Sequence, residues 1–186
     1  RLNDMTDVIK KHINFASNCF NQNKKILAIC WGLQVCSTAA GGKVNPGKNG
    51  AHIGIASNVI INNDGHKHFI YNDKKNEFTT PAFNFDEVSE LPKNATLLSS
   101  DKVNNVMGVS FNVGNSEITG LQYHPDYEYY QMINLIEGRK DRLFKNKNFS
   151  TEEDYQNHIS YIKSENEILN FNDRSCEVRN WLKYIK

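Results

Sequence analysis

Apolar residues recur at three- and four-residue spacing at Met5, Val8, Phe15, Ala16 and Cys19, with His12 on the same stripe. The spacing predicts an amphipathic helix from Asp4 to about Gln22, capped by Asp4 or Thr6. Lys24 and Lys25 then lead into Ile26-Leu27-Ala28-Ile29, a β-rich run that is apolar on both faces. Such a run suits an interior strand of a parallel sheet covered by helices, while its length alone also fits a buried helix. Gly32 to Ala40 reads as a second helix, ended by Gly41-Gly42. The helix-strand-helix order predicts a layered α/β domain with an at least partly parallel sheet.

The middle of the chain alternates differently. Ile53 to Ile61, Phe78 to Phe83, Thr96 to Ser99, Val106 to Phe111 and Ile118 to Tyr123 are short β-type runs. Asn63-Asp64-Gly65 and Gly114-Asn115 mark the tightest turns between them. After Pro125 the helical period returns at Tyr129, Met132, Ile133 and Ile136, and two further helices are expected at about 151 to 169 and 175 to 185. Ser150 with Glu153 reads as a capping box for the first of these. Repeats, low-complexity linkers and sharp composition breaks are absent from the sequence, so residues 1–186 read as one domain with a helical extension over 140–186.

Charge and composition narrow the function classes. Twenty-two Lys and Arg against 21 Asp and Glu leave a formal charge of +1. No global field draws nucleic acid or anionic lipid, so neither is expected as a partner. The longest apolar stretch falls far short of the roughly 20 residues that span a bilayer, and no basic-then-apolar signal opens the chain. A soluble, cytoplasmic protein is expected. Four cysteines, Cys19, Cys30, Cys36 and Cys176, form no CxxC pair and are too sparse for a disulfide framework or zinc knuckle. The chain opens on Arg1 with a helix feeding a central strand, which leads to the expectation of a further segment upstream.

Two short segments carry candidate chemistry. In Ala28-Ile29-Cys30-Trp31-Gly32-Leu33-Gln34 a cysteine stands where a buried strand turns into a helix. That is the geometry of a nucleophile elbow: the turn lifts the sulfur above the sheet edge, and the helix N-terminus favours the thiolate. Read alone, the segment fits a buried structural cysteine equally well. In Gly120-Leu121-Gln122-Tyr123-His124-Pro125-Asp126 a strand ends in a histidine, a proline breaks the ladder, and a carboxylate follows that can orient the imidazole.

Together these segments resemble a known family. Ile29-Cys30-Trp31-Gly32-Leu33-Gln34 is similar to the nucleophile motif of class I glutamine amidotransferases, and Gln122-Tyr123-His124-Pro125-Asp126 to their His-Pro-Glu motif. Gly41-Gly42-Lys43-Val44, Ala51-His52-Ile53-Gly54, Asp86 to Pro92 and Leu97 to Ser100 resemble intermediate landmarks, especially those of members related to the GMP synthase amidotransferase domain. The resemblance covers about residues 5 to 137. It implies a flavodoxin-like three-layer fold with a central, mostly parallel sheet and extra β-hairpin strands; the family does not require the helical C-terminal extension. It further implies hydrolysis of the glutamine side-chain amide through a cysteine thioester, without a cofactor. The products are glutamate and ammonia, the latter passed to an acceptor domain or a synthetase subunit.

Carried over by position, the resemblance makes Cys30 the nucleophile, His124 the general base and acid, and Asp126 the orienting acid. The backbone N–H of Trp31 becomes half of an oxyanion hole; Trp31 and Gln34 line the glutamine pocket. Asp126 is one methylene shorter than the usual Glu, which leaves Glu128 as the fallback acid. Asn84 stands where many members carry histidine, so contacts to the substrate's carboxylate or amino group are expected to differ there. The family's first strand-helix-strand unit, with its glycine-rich loop, has no counterpart in the sequence. Two rivals stay open: a γ-glutamyl or related thiol hydrolase on the same fold, and a catalytically silent binding module. His66-Lys67-His68 with His52 and Asp64 reads as a polar turn rather than a metal site. Arg139-Lys140-Asp141-Arg142 and the charged helices beyond it read most plainly as a solvated helical face, with docking of a partner or a second copy of the chain as the alternative.

Overall fold

The computed structural model describes residues 1–168 and 171–186. The amphipathic stripe near the start forms α1 (Asp7–Phe20), whose Thr6 hydroxyl caps Ile9 N–H. It is followed by β1 (Lys25–Ile29) and α2 (Trp31–Ala39). The β-type runs become β3 (His52–Ile53), β4 (Ala56–Ile61), β5 (Glu77–Thr80), β6 (Phe83–Asn84), β8 (Thr96–Ser100), β9 (Gly108–Val113) and β10 (Ser116–Leu121). Two strands outside those runs, β2 (Lys43–Pro46) and β7 (Asp86–Glu90), pair with each other. The later helices are α3 (Tyr129–Glu137), α4 (Lys140–Lys145), α5 (Glu152–Ile168), α6 (Phe171–Arg174) and α7 (Cys176–Tyr184). The end of the helix expected to 169 lies outside the described residues.

The main sheet runs β1-β10-β9-β8-β4-β5. Its layers are those of the α/β fold expected. On one face α1 and α2 bury Ile9, Phe20, Leu33 and Val35 against Val109, Phe111 and Ile118. On the other, Val59, Leu98, Met107, Leu121 and Tyr123 pack with Ile70, Tyr71 and the Trp181 ring of α7. A third cluster joins α3 and α5 to the β3 region through Ile53, Ile55, Tyr129, Ile136, Tyr155 and Ile162. Among the described residues no helix is long and apolar enough to cross a membrane.

The strand pairing adds detail to these expectations, and one helix cap corrects another. Among the described residues β1 and β10 pair in parallel, as the helix-strand-helix order predicted, whereas the other four pairs of the sheet are antiparallel, so the sheet is mixed. The reason is connection length: the Gly114-Asn115 turn joins β9 to β10 as a hairpin, and only a long crossover can return a strand parallel to its neighbour. Among the described residues β1 pairs with β10 along one side. Last, the reciprocal cap of α5 is made by Thr151 and Asp154, each bonding the other's backbone N–H at 3.0 Å, one residue along from Ser150 and Glu153.

Gly120 sets how closely α2 can lie on β10. A Cβ there would stand 2.4 Å from Leu33 Cδ1 and 3.1 Å from Val109 Cγ1, both fully buried. Gly120→Ala is therefore expected to destabilise the fold by about 1–3 kcal/mol through overpacking, read as a fall in the thermal unfolding midpoint.

Candidate active site

The junction between β1 and α2 forms a strained corner. Cys30 has φ 48° and ψ −103°, a region that non-glycine residues avoid and that costs of order 1–3 kcal/mol. The surroundings over-determine it. Its N–H donates to Leu121 O at 2.7 Å, and its carbonyl accepts from Gln34 N at 3.1 Å to begin α2. Leu33, three residues on, is seated against Gly120. The corner leaves the sulfur at the positive end of α2, where the helix dipole favours an anion.

The adjacent strand supplies the partners. Ile29 lies opposite Leu121 in the parallel pair, so both chains leave the sheet on the same side. Gln122 Nε2 donates toward Cys30 Sγ at 3.6 Å, and the thiol faces Phe83 O at 3.7 Å. His124 is anchored by its N–H to Pro81 O at 2.7 Å, and its Nδ1 lies 3.2 Å from Asp126 Oδ1. Burial pulls the imidazolium down, yet hydrogen bonds to Asp126 and Cys30, with their negative charge, more than offset it and push His124 up to about 9. An imidazolium beside a thiol is the pair from which a thiolate nucleophile and a general acid can both be drawn. Glu128 is not available to His124: its carboxylate is taken by the Arg174 guanidinium, which also donates to Tyr127 O. Asp126 is the acid the imidazole meets.

A cavity of about 150 Å³ opens beside Cys30, between Trp31, Gln34, Asn84, Asp86 and Arg142. All three pocket residues named from the sequence therefore border it, and each is hydrogen-bonded to the protein itself. Gln34, buried, donates to Asp86 O at 2.8 Å and to Gln122 Oε1 at 3.3 Å. Asn84 accepts at Oδ1 from the His52 ring (3.0 Å) and donates to Asp86 O (3.2 Å). Trp31 is more exposed and donates from its indole to His12 Nδ1 at 3.3 Å.

Sequence reasoning missed the charges of this pocket. Asp86 is 7% exposed, and its Oδ1 is buried without a hydrogen bond, 3.5 Å from Arg1 Nη1. Its position after Phe85 in an apolar context was the available signal; Arg142, from α4, had none. The histidines of the polar turn are each engaged: His66 with Asn76 Oδ1 and His68 with Ile70 N. His52 lies elsewhere, buried and paired with Asp101 at 2.8 Å.

With this geometry in place, likeness to known proteins can be weighed. The family model "Glutamine amidotransferase class-I" matches residues 3–134. A γ-glutamyl-L-1-hydroxyisopropylamide hydrolase of Pseudomonas sp is 25% identical, over 94% of this chain and 65% of that protein. One subunit of the glutamine-hydrolysing GMP synthase of Methanococcus vannielii is 31% identical, over 67% of this chain and 64% of its own length. The chain thus spans just under two thirds of either relative. A glutamine amidotransferase structure from Thermotoga maritima superposes with a TM-score of 0.70 at 23% identity, covering 95% of this chain and 69% of that one, a likeness of fold.

The raised His124 gives a signed prediction. Its contribution to stability is complete below the ordinary 6.5 and is lost as pH rises through about 9. An NMR titration of its ring protons is expected to show a midpoint at about 9, and Asp126→Asn to lower that midpoint toward 6.5. An unchanged midpoint in the variant would assign the shift to some other group.

Proposed function

The chain belongs to the class-I glutamine amidotransferase family, and we propose that it cleaves the side-chain amide of a γ-glutamyl compound, with Cys30 as nucleophile, His124 as proton carrier and Asp126 as the acid that orients it. The observation that carries this reading is the strained Cys30 corner sharing one sheet edge with the His124–Asp126 pair. The sulfur would attack the γ-carbonyl carbon, and the Trp31 N–H at the start of α2 would face the developing oxyanion. As the C–N bond breaks, His124 would deliver its proton to the leaving nitrogen. Water would then open the thioester, giving its proton back to His124, and glutamate would leave.

The pocket supports an amino-acid-sized head group. It is smaller than the roughly 300 Å³ at which drug-sized sites begin, and it presents Asp86 and Arg142 together. An α-ammonium on Asp86 and an α-carboxylate on Arg142 would read a zwitterion and leave the γ-amide at Cys30. Two leaving groups remain in play. The Pseudomonas relative, alike over 94% of the chain and so into the C-terminal helices, favours a substituted γ-glutamyl amide. The name of the Methanococcus relative, part of a glutamine-hydrolysing synthase, favours glutamine itself, with ammonia passing to an acceptor on a partner subunit.

Glutamate release from glutamine and from γ-glutamyl alkylamides separates the two, assayed beside Cys30→Ser. Turnover of at least one class is expected, with Cys30→Ser lowering kcat by at least about a thousandfold. Turnover that survives the substitution would overturn the cysteine mechanism, and no turnover of either class would overturn the γ-glutamyl reading.

A further inference from the structure

The C-terminal segment reaches the His124 loop from two directions, through buried charged groups that the chemistry above does not use. Arg174, at the end of α6, has a side chain only 4% exposed; its guanidinium donates to Tyr127 O and to the Glu128 carboxylate. Glu177, in the first turn of α7, is fully buried. It accepts the Tyr123 hydroxyl at 2.7 Å and pairs with the buried Lys74 ammonium at 3.1 Å. The Tyr123 hydroxyl also lies 3.1 Å from that of Tyr71, which bonds Ser99 Oγ at 2.7 Å. Residues 123, 127 and 128 are therefore tied to one short piece of chain, and the residues between them are His124, Pro125 and Asp126.

A surface helix that only covered the sheet would need no buried arginine and no buried glutamate, each costly unless paired. Here both pairings end on the backbone or side chains next to His124. Arg174 does a second thing: by holding Glu128 it removes a carboxylate from competition for the imidazole and leaves Asp126 as its partner. We infer that Arg174 and Glu177 are positioning residues for His124, so that the α6–α7 segment is a working part of the site and not an appendage. Only the kinetic arm of the test below rests on the γ-glutamyl reading.

The test uses the whole chain and two readouts. One is the rate at which iodoacetamide alkylates Cys30, followed by mass spectrometry of its peptide; a displaced imidazolium no longer supports the thiolate. The other is kcat and KM for glutamate release. Arg174→Gln is expected to slow alkylation about fivefold or more and to lower kcat about tenfold or more, with KM held within about threefold, in the range found for groups that orient a reacting side chain. Arg174→Lys, which keeps the charge but not the fork, is expected to recover part of both. Tyr123→Phe deletes only the hydroxyl bound by Glu177 and carries the same expectation should Arg174→Gln fail to fold. Folded variants with wild-type alkylation and kcat overturn the inference. Slower alkylation in the variants of a chain that turns over no γ-glutamyl compound supports it, and places the failure in the substrate reading instead.

Discussion

Everything at the candidate site depends on one strand pairing. β1 and β10 run in the same direction in register from Lys25 opposite Glu117 to Ile29 opposite Leu121. Parallel neighbours end on the same side of a sheet, so the residues just beyond them emerge together although they stand some ninety positions apart in the chain. A shift by one residue would turn every side chain of the strand to the other face. It would take Ile26 and Ala28 out of the core beneath α2 and carry Cys30 away from Gln122. The cost of the strained cysteine corner can be borne only because this ladder on one side and the seated helix on the other leave it no cheaper conformation.

Behind the sulfur lies a polar shell that an apolar core would not need. Gln34 bridges Asp86 O and Gln122, and Gln122 turns its amide to Cys30. Asn84 binds the same Asp86 carbonyl, and is itself held by His52, which is held by Asp101. Each donor finds an acceptor, so these buried groups fix the walls of the pocket rather than destabilise them. Among the described residues a few buried polar atoms have no hydrogen bond, and one of them, Asp86 Oδ1, borders the cavity with the Arg1 guanidinium 3.5 Å away.

How much of this could be read from the sequence follows from the range of the interactions involved. Cys30 and His124 were legible because each sits in a contiguous motif whose neighbours announce a corner and a broken strand. The long helices and the central strands were legible because their periods persist for several residues. β2 and β7 were not, since they are four and five residues long and form by pairing with each other, and α4 and α6 were legible only as parts of a broad helical extension. The α5 cap was displaced by one residue because two hydroxyls, Ser150 and Thr151, stand side by side with two acids at the matching distance. The choice between Asp126 and Glu128 needed Arg174, some fifty positions away, and no local pattern records such a pairing. The helix-strand order at the start predicted an at least partly parallel sheet, which the β1–β10 pair bears out, while the antiparallel pairs belong to the hairpins of the middle.

Part of the pocket wall and the Cys30 sulfur belong to different sheets. Phe83 and Asn84 pair with His52 and Ile53 in a two-stranded ribbon of their own, while Cys30 and His124 leave the six-stranded sheet. Such a division lets the two parts vary at separate rates. Insertions or exchanges in the ribbon can reshape what is admitted, with the buried His52–Asp101 pair as its anchor, and never disturb the ladder that brings sulfur and imidazole together. A chain built this way can change the rim of its cavity while the strand pairing beneath Cys30 and His124 stays as it was.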